Sequence, residues 1–327
     1  MKKTAITLLF AAFLSISALA QSVQEGMNHF YAQRYQSAKS TFEKLLASNP
    51  NNIEATYWLG QVMIEQKNLD GARSLYEKAL MTNGNAPLLM VGMGSVELLD
   101  GKTAEARARF ENAINTSKGR KGNDPAILNA VGRANVVAYS AKNKNGDLDY
   151  AIAKLTEAAK INGKNADIYL NLGDAYKKKG NMGGDAILAY RQALEINPSF
   201  AVAPYRAAML YRTQQSSYQN PAAWTTVIEQ LNQAIKADPN FAPAYVELYN
   251  YNLFGKSDFA AAEAFAKLYE SSADPSPDNA YLRVQTDIFQ KKYSNAITTL
   301  KDILTKTNNN PRPVVFRALA VATMGAK

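Results

Sequence analysis

Small and large apolar residues follow one another along this chain in a repeated order. Ala38, Ala72, Ala106, Ala151, Ala186, Val227, Ala261 and Ala296 each follow a turn-like stretch, at intervals of 34, 34, 45, 35, 41, 34 and 35 residues. Four residues later stands a large apolar side chain: Phe42, Tyr76, Phe110, Leu155, Tyr190, Leu231, Phe265 and Leu300. Three further on comes Leu45, Ala79, Ala113, Ala158, Ala193, Ala234, Leu268 or Ile303. Steps of four and three keep all three positions on one face of a helix.

A second marker precedes each turn. Gly26, Gly60, Gly94, Gly132, Gly173 and Ala208 hold one small position; Tyr249 and Val284 take it in the seventh and eighth units. Packing there is expected to be looser or shifted. Turns such as "KNLDG" and "DGKTA" separate the two markers, and "SNPNN", "INPSF" and "ADPNF" close the units. Pro cannot continue a helix, and Asn and Asp favour turns. Each unit therefore reads as two antiparallel helices that approach closely where side chains are small. Gly173 is expected to face Ala186, with Tyr176 and Tyr190 filling the space beside them. One such pair cannot bury its apolar face alone, so the pairs stack.

This order resembles the tetratricopeptide repeat, W-x2-L-G-x2-Y followed by A-x3-F, A and P. Residues 166–200 match it best, through Leu172, Gly173, Tyr176, Ala186, Tyr190, Ala193 and Pro198. The resemblance implies an all-α protein, a right-handed α-solenoid of antiparallel helix pairs. It covers residues 21–327 as eight full repeats and the first helix of an incomplete ninth, where Phe316, Leu319 and Ala320 fit the first-helix pattern.

Two units are long by about seven residues each, through "YSAKNKNGDLDY" and "QQSSYQNPAAW". In repeat proteins insertions map to loops on one edge, often a functional one. Trp224, in the second insertion, is a partner anchor if exposed and core if it packs. Asn143, Asn145, Asp147 and Asp149 lack calcium-loop spacing and read as a polar turn. The basic, Gly-rich "SKGRKGND" of residues 117–124 reads as a surface link, with an anion contact as the alternative.

Composition narrows the chemistry. Lys2 and Lys3, the apolar run 5–16 and Ala18-Leu19-Ala20 form a secretory signal peptide over residues 1–20, with cleavage expected after Ala20. A periplasmic or secreted location follows, and nucleic acid is an unlikely partner class for an exported chain. No later stretch is long and apolar enough for a transmembrane segment. The net charge is +9, or +7 without Lys2 and Lys3. That suits solubility, with a preference for acidic partners as the second reading. Cys is absent and His occurs once, at His29. Thiolate catalysis, disulfides and His or Cys metal clusters are thereby removed. No cofactor is expected, and nothing in the chain reads as an enzyme.

The resemblance also implies a concave groove, lined by the first helices, that takes a protein or peptide partner. One subtype of the family clamps a terminal carboxylate with Lys and Asn residues and an Arg. On the fourth to sixth units Asn171 and Arg206 match that set, while Asn129, Arg133 and Val202 stand where a Lys, an Asn and a Lys would. A polar, partly basic patch of Asn129, Arg133, Asn171 and Arg206 is the expected binding site for an acidic or carboxylate-bearing segment. The alternative is a structural subunit forming a homo-oligomer through its C-terminal end, because Val314 to Ala322 are almost all apolar.

Overall fold

A computed structural model describes residues 23–140, 142–143, 145–213 and 221–326. The signal segment 1–20 and residues 214–220 of the second insertion lie outside the described residues. The chain is an all-α helical-repeat solenoid. It divides into two compact units, Met1–Asn197 and Pro198–Lys327.

The described residues of unit one form five helix pairs: α1 (residues 23–31) with α2 (Tyr35–Ser48), α3 (Ile53–Glu65) with α4 (Leu69–Asn83), α5 (Pro87–Leu99) with α6 (Thr103–Ser117), α7 (Pro125–Ala138) with α8 (Leu148–Ile161), and α9 (Ala166–Lys179) with α10 (Gly183–Ile196). The polar residues of the links start these helices. Asn52, Asn68, Asp124, Asp147 and Asn165 each accept a hydrogen bond from a backbone N–H of the helix that follows, which satisfies one of its orphan donors. Pro87 and Pro125 stand in first turns, where a missing N–H costs nothing. Gln33, Lys67, Gly101 and Gly180 turn through positive φ between paired helices.

The glycine of each first helix does not face the alanine marker. It faces the large side chain four residues further on. A Cβ on Gly26, Gly60, Gly94, Gly132 or Gly173 would lie 2.2–2.5 Å from Phe42, Tyr76, Phe110, Leu155 or Tyr190 respectively. The expected pairing of Gly173 with Ala186 is corrected accordingly: the hole left by glycine is filled by a ring of the partner helix. Tyr76 goes further, filling the open sides of both Gly60 and Gly92 and so joining two successive pairs. Burial of such a ring stabilises by about 1.5–3 kcal/mol.

The insertion of the fourth pair folds back on the end of α7. Asn135 Oδ1 accepts from the Asp147 amide at 3.1 Å. Lys178 Nζ donates to the carbonyls of Val136 and Tyr139 at 2.5 and 2.9 Å. Asp147 pairs with Arg107 at 2.7 Å, so Asp147 caps and pairs within a polar turn. An open cleft of about 340 Å³ lies there, lined in part by Arg107, Asn135 and Asp147.

Unit two runs α11 (Val202–Thr213), α12 (Pro221–Ala237), α13 (Ala242–Asn250), a π-helical segment Tyr251–Lys256, α14 (Phe259–Ser272), a 3₁₀ turn Pro277–Ala280, α15 (Tyr281–Phe289), α16 (Tyr293–Lys306) and α17 (Pro313–Gly325). The π-helical segment begins two residues after Tyr249, the large residue at the small position. Tyr249 is fully buried, and its hydroxyl donates to the Leu282 carbonyl of the next pair at 2.6 Å. A wider helical turn accompanies the oversized side chain.

The last helix packs through one face only. Val315, Ala318 and Ala322 pack inward with α16 residues Ala296, Leu300 and Ile303, whereas Phe316 is 48% exposed and Ala320 is exposed. Among the described residues α17 has no paired second helix, so the face that would receive one stays in solvent.

Candidate functional site

The inner face of unit one brings together side chains far apart in sequence. Tyr31 of α1 donates to Asp167 of α9, a separation of 136 residues. Asp167 Oδ2 also accepts from Asn129 Nδ2 at 2.6 Å and Asn171 Nδ2 at 3.3 Å, and Asn171 Nδ2 donates to Asn129 Oδ1 at 2.9 Å. One carboxylate thus ties three first helices, α1, α7 and α9.

Arg133 of α7 enters the same layer from the other side. Its Nη1 donates to Gln61 Oε1 of α3 at 2.8 Å. Gln61 Nε2 donates to the Tyr76 hydroxyl at 3.0 Å, which donates to the Tyr57 carbonyl at 2.7 Å. The guanidinium lies 4.8 Å from the Trp58 ring centroid and 5.0 Å from that of Phe30. Phe30, Tyr31, Tyr57 and Trp58 contact one another edge-on. Burial opposes the charge of Arg133. Tyr57, Tyr31, Asp167 and Glu65 more than offset it, so its pKa is raised. Burial, then Asp167, pushes the Tyr31 phenol well up, and burial raises that of Tyr57.

This arrangement holds helices rather than offering a surface. Asn129, Arg133 and Asn171 are buried, at 7%, 6% and 3% exposure. The expectation of a polar, partly basic binding patch is corrected for these three residues, which are buried. The aromatic side chains of α1 and α3 cover Arg133, and the polar groups of the patch satisfy one another. Arg206, the fourth predicted residue, lies on α11 in unit two and is half-buried. His29 sits on α1, 3.9 Å from Glu25. Among the described residues no group of three His, Cys, Asp or Glu side chains is placed to hold a metal. No helix among them is long and apolar enough to cross a membrane.

Unit two distributes its aromatic residues differently. Trp224 is 2% exposed and stacks on Tyr251 with ring centroids 4.9 Å apart. The partner-anchor expectation for Trp224 is therefore corrected: its first-turn position on α12 points it into the core. Phe254 and Phe289, which the sequence reading passed over, do face solvent. They are 36% and 51% exposed and touch edge-on at 5.3 Å. A sequence signal was present: they end successive first helices, and each is followed two residues on by a lysine, Lys256 and Lys291.

Comparison with known proteins gives a consistent family and fold. Profiles described as the tetratricopeptide repeat match residues 29–90 and 166–200, and one described as the TPR repeat matches residues 140–180. No curated protein matches this chain. Among solved structures, the human IFIT1 dimer with PPP-AAAA is 15% identical, covers 90% of this chain and 69% of its own, and superposes with a TM-score of 0.55. The same dimer with m7Gppp-AAAA covers 89% and 68% at 15% identity, with a TM-score of 0.52. YrrB, a TPR protein with an unusual peptide-binding site, is 21% identical over 62% of this chain and 95% of its own, with a TM-score of 0.35. At these identities the likeness concerns the fold. With the glycine packing of five successive pairs, filled by a ring in four and by Leu155 in one, and the three profile matches together, the chain belongs to the tetratricopeptide repeat family.

Proposed function

We propose that this chain is a non-catalytic protein-interaction scaffold of the cell envelope, taking a peptide or extended partner segment on the first helices of unit two. The observation that supports this reading is the solvent-facing pair Phe254 and Phe289. Phe289, 51% exposed where it meets Phe254 edge-on, keeps apolar area in water that a partner covering it would bury. Stacked helix pairs hold such a surface with little ordering cost on binding.

The test is capture in living cells. A photo-crosslinking residue at Phe289 is expected to trap an envelope protein. The double variant Phe254→Ala/Phe289→Ala, still helical by circular dichroism, is expected to retain about a tenth of the capture or less, the loss of one to two buried aromatic contacts. Undiminished capture would sink the assignment. Exposed Phe316, Val321 and Met324 on α17 favour the second reading, assembly through the C-terminal end. Concentration-dependent self-association abolished by Phe316→Ser would support that reading instead.

Export is the other part of the proposal. N-terminal sequencing of the protein recovered from the periplasm or medium is expected to begin at Gln21. A recovered chain that still carries Lys2 and Lys3 overturns cleavage after Ala20.

A further inference from the structure

We infer that unit one carries a peripheral contact site for an anionic phospholipid surface, built from the links that follow α6 and α8. The two earlier links between pairs, residues 49–52 and 84–86, hold no Lys or Arg. Those after α6 and α8 hold Lys118, Arg120, Lys121 and Lys164, and Lys160 stands in the last turn of α8. The link after α6 is an ordered hairpin. Gly119 and Gly122 exchange two backbone hydrogen bonds, at 2.9 and 3.2 Å, and Gly122 takes a φ of +113°. Arg120 and Lys121 are the two residues at its tip. The hairpin rests on the end of α8, where Asn123 Nδ2 donates to Glu157 Oε1 at 2.6 Å. Lys160 and Ile161 follow Glu157 by three and four residues, on the same face of α8. In the next link the Lys164 amide donates to Asn162 Oδ1 at 3.3 Å.

Lys118, Arg120, Lys121, Lys160 and Lys164 are all exposed. Among the described residues no carboxylate pairs with any of them. Glu111, on α6, is matched by Lys154. Asp124 and Glu157 are half-buried and accept from the Ala126 amide and from Asn123. Five cations against these two carboxylates leave a local charge of +3. The helix ends add little to it, because α6 and α8 end where α7 and α9 begin and their partial charges oppose. Ile161, 47% exposed, stands between Lys160 and Lys164. A bilayer interface accepts both features at once: basic side chains meet phosphate headgroups, and an exposed apolar side chain enters the boundary beneath them. A hairpin tip also suits a plane, whereas a bound peptide needs a groove.

Co-sedimentation with vesicles is the test. The purified chain from Gln21 onward is expected to bind vesicles of phosphatidylcholine mixed with phosphatidylglycerol, but not phosphatidylcholine alone, and to release as salt rises. Arg120→Gln/Lys121→Gln is expected to weaken binding about fivefold for each cation removed, about 25-fold together. Ile161→Ser is expected to weaken it as well. The same charge change at Lys44→Gln/Lys78→Gln, on α2 and α4, is expected to alter it less than about twofold. These side chains are all exposed, so every variant should keep the circular dichroism of the parent. Equal binding to both kinds of vesicle, binding to neither, or an equal loss from the Lys44 and Lys78 changes overturns the inference. Inorganic phosphate that displaces the chain at an ionic strength where chloride does not would mark a small-anion site and overturn the bilayer contact. Retention on immobilised poly-glutamate without binding to vesicles would overturn it in favour of an acidic protein. None of these variants touches unit two, where crosslinking at Phe289 tests the scaffold reading separately.

Discussion

Asp167→Ala is expected to destabilise unit one by about 3 kcal/mol, because it removes the acceptor shared by Tyr31, Asn129 and Asn171. Each donor left without a partner costs about 1–3 kcal/mol, discounted because Asp167 itself is half-buried and water can reach part of the site. The loss should also release α1 from α9. Tyr31→Phe removes one bond and is expected to cost about 1 kcal/mol. Denaturant unfolding followed by tryptophan fluorescence measures this unit directly. Trp58 lies in unit one and Trp224 in unit two, and the chain has two tryptophans. A Trp224→Phe background therefore leaves Trp58 as the reporter. A cost for Asp167→Ala no larger than that of an exposed ion pair such as Arg107 with Asp147, under about 1 kcal/mol, would show that the cluster does not hold α1.

Gly173→Val is expected to cost about 3 kcal/mol through overpacking. A Cβ there would lie 2.4 Å from the Tyr190 ring, whose hydroxyl donates to Asp174 at 2.8 Å. The ring is fully enclosed and held at its far end, so it cannot swing aside without breaking that bond. Gly173→Ala should cost less, since alanine recovers about 1 kcal/mol of helix propensity. Gly184→Ala is the control. It lies in α10 with nothing within 4 Å of its Cβ, and it is expected to stabilise by about 0.5–1 kcal/mol. The same fluorescence titration, with Gly173→Val as stable as the parent, would refute the account of glycine as the hole that the ring fills.

The sequence by itself determined the helix pairs and their packing residues. The 34- and 35-residue intervals, the glycines of the first helices and the Asn and Asp residues of the links act over a few turns of chain. Asn52 capping α3 and Gly60 receiving Tyr76 are interactions within one pair, and a repeated local pattern exposes them. The tertiary structure alone decided which surfaces stay open. Each pair adds a small rotation to the last, and that rotation is set by side-chain volumes rather than by any motif. Its sum brings Tyr31 to Asp167 and closes Asn129, Arg133 and Asn171 into a buried layer, although their residue types match an open binding patch. Burial of Trp224 against Tyr251 and exposure of Phe254 and Phe289 have the same cause. An aromatic side chain is equally suited to a core and to an interface, and only the neighbouring helices settle which it becomes.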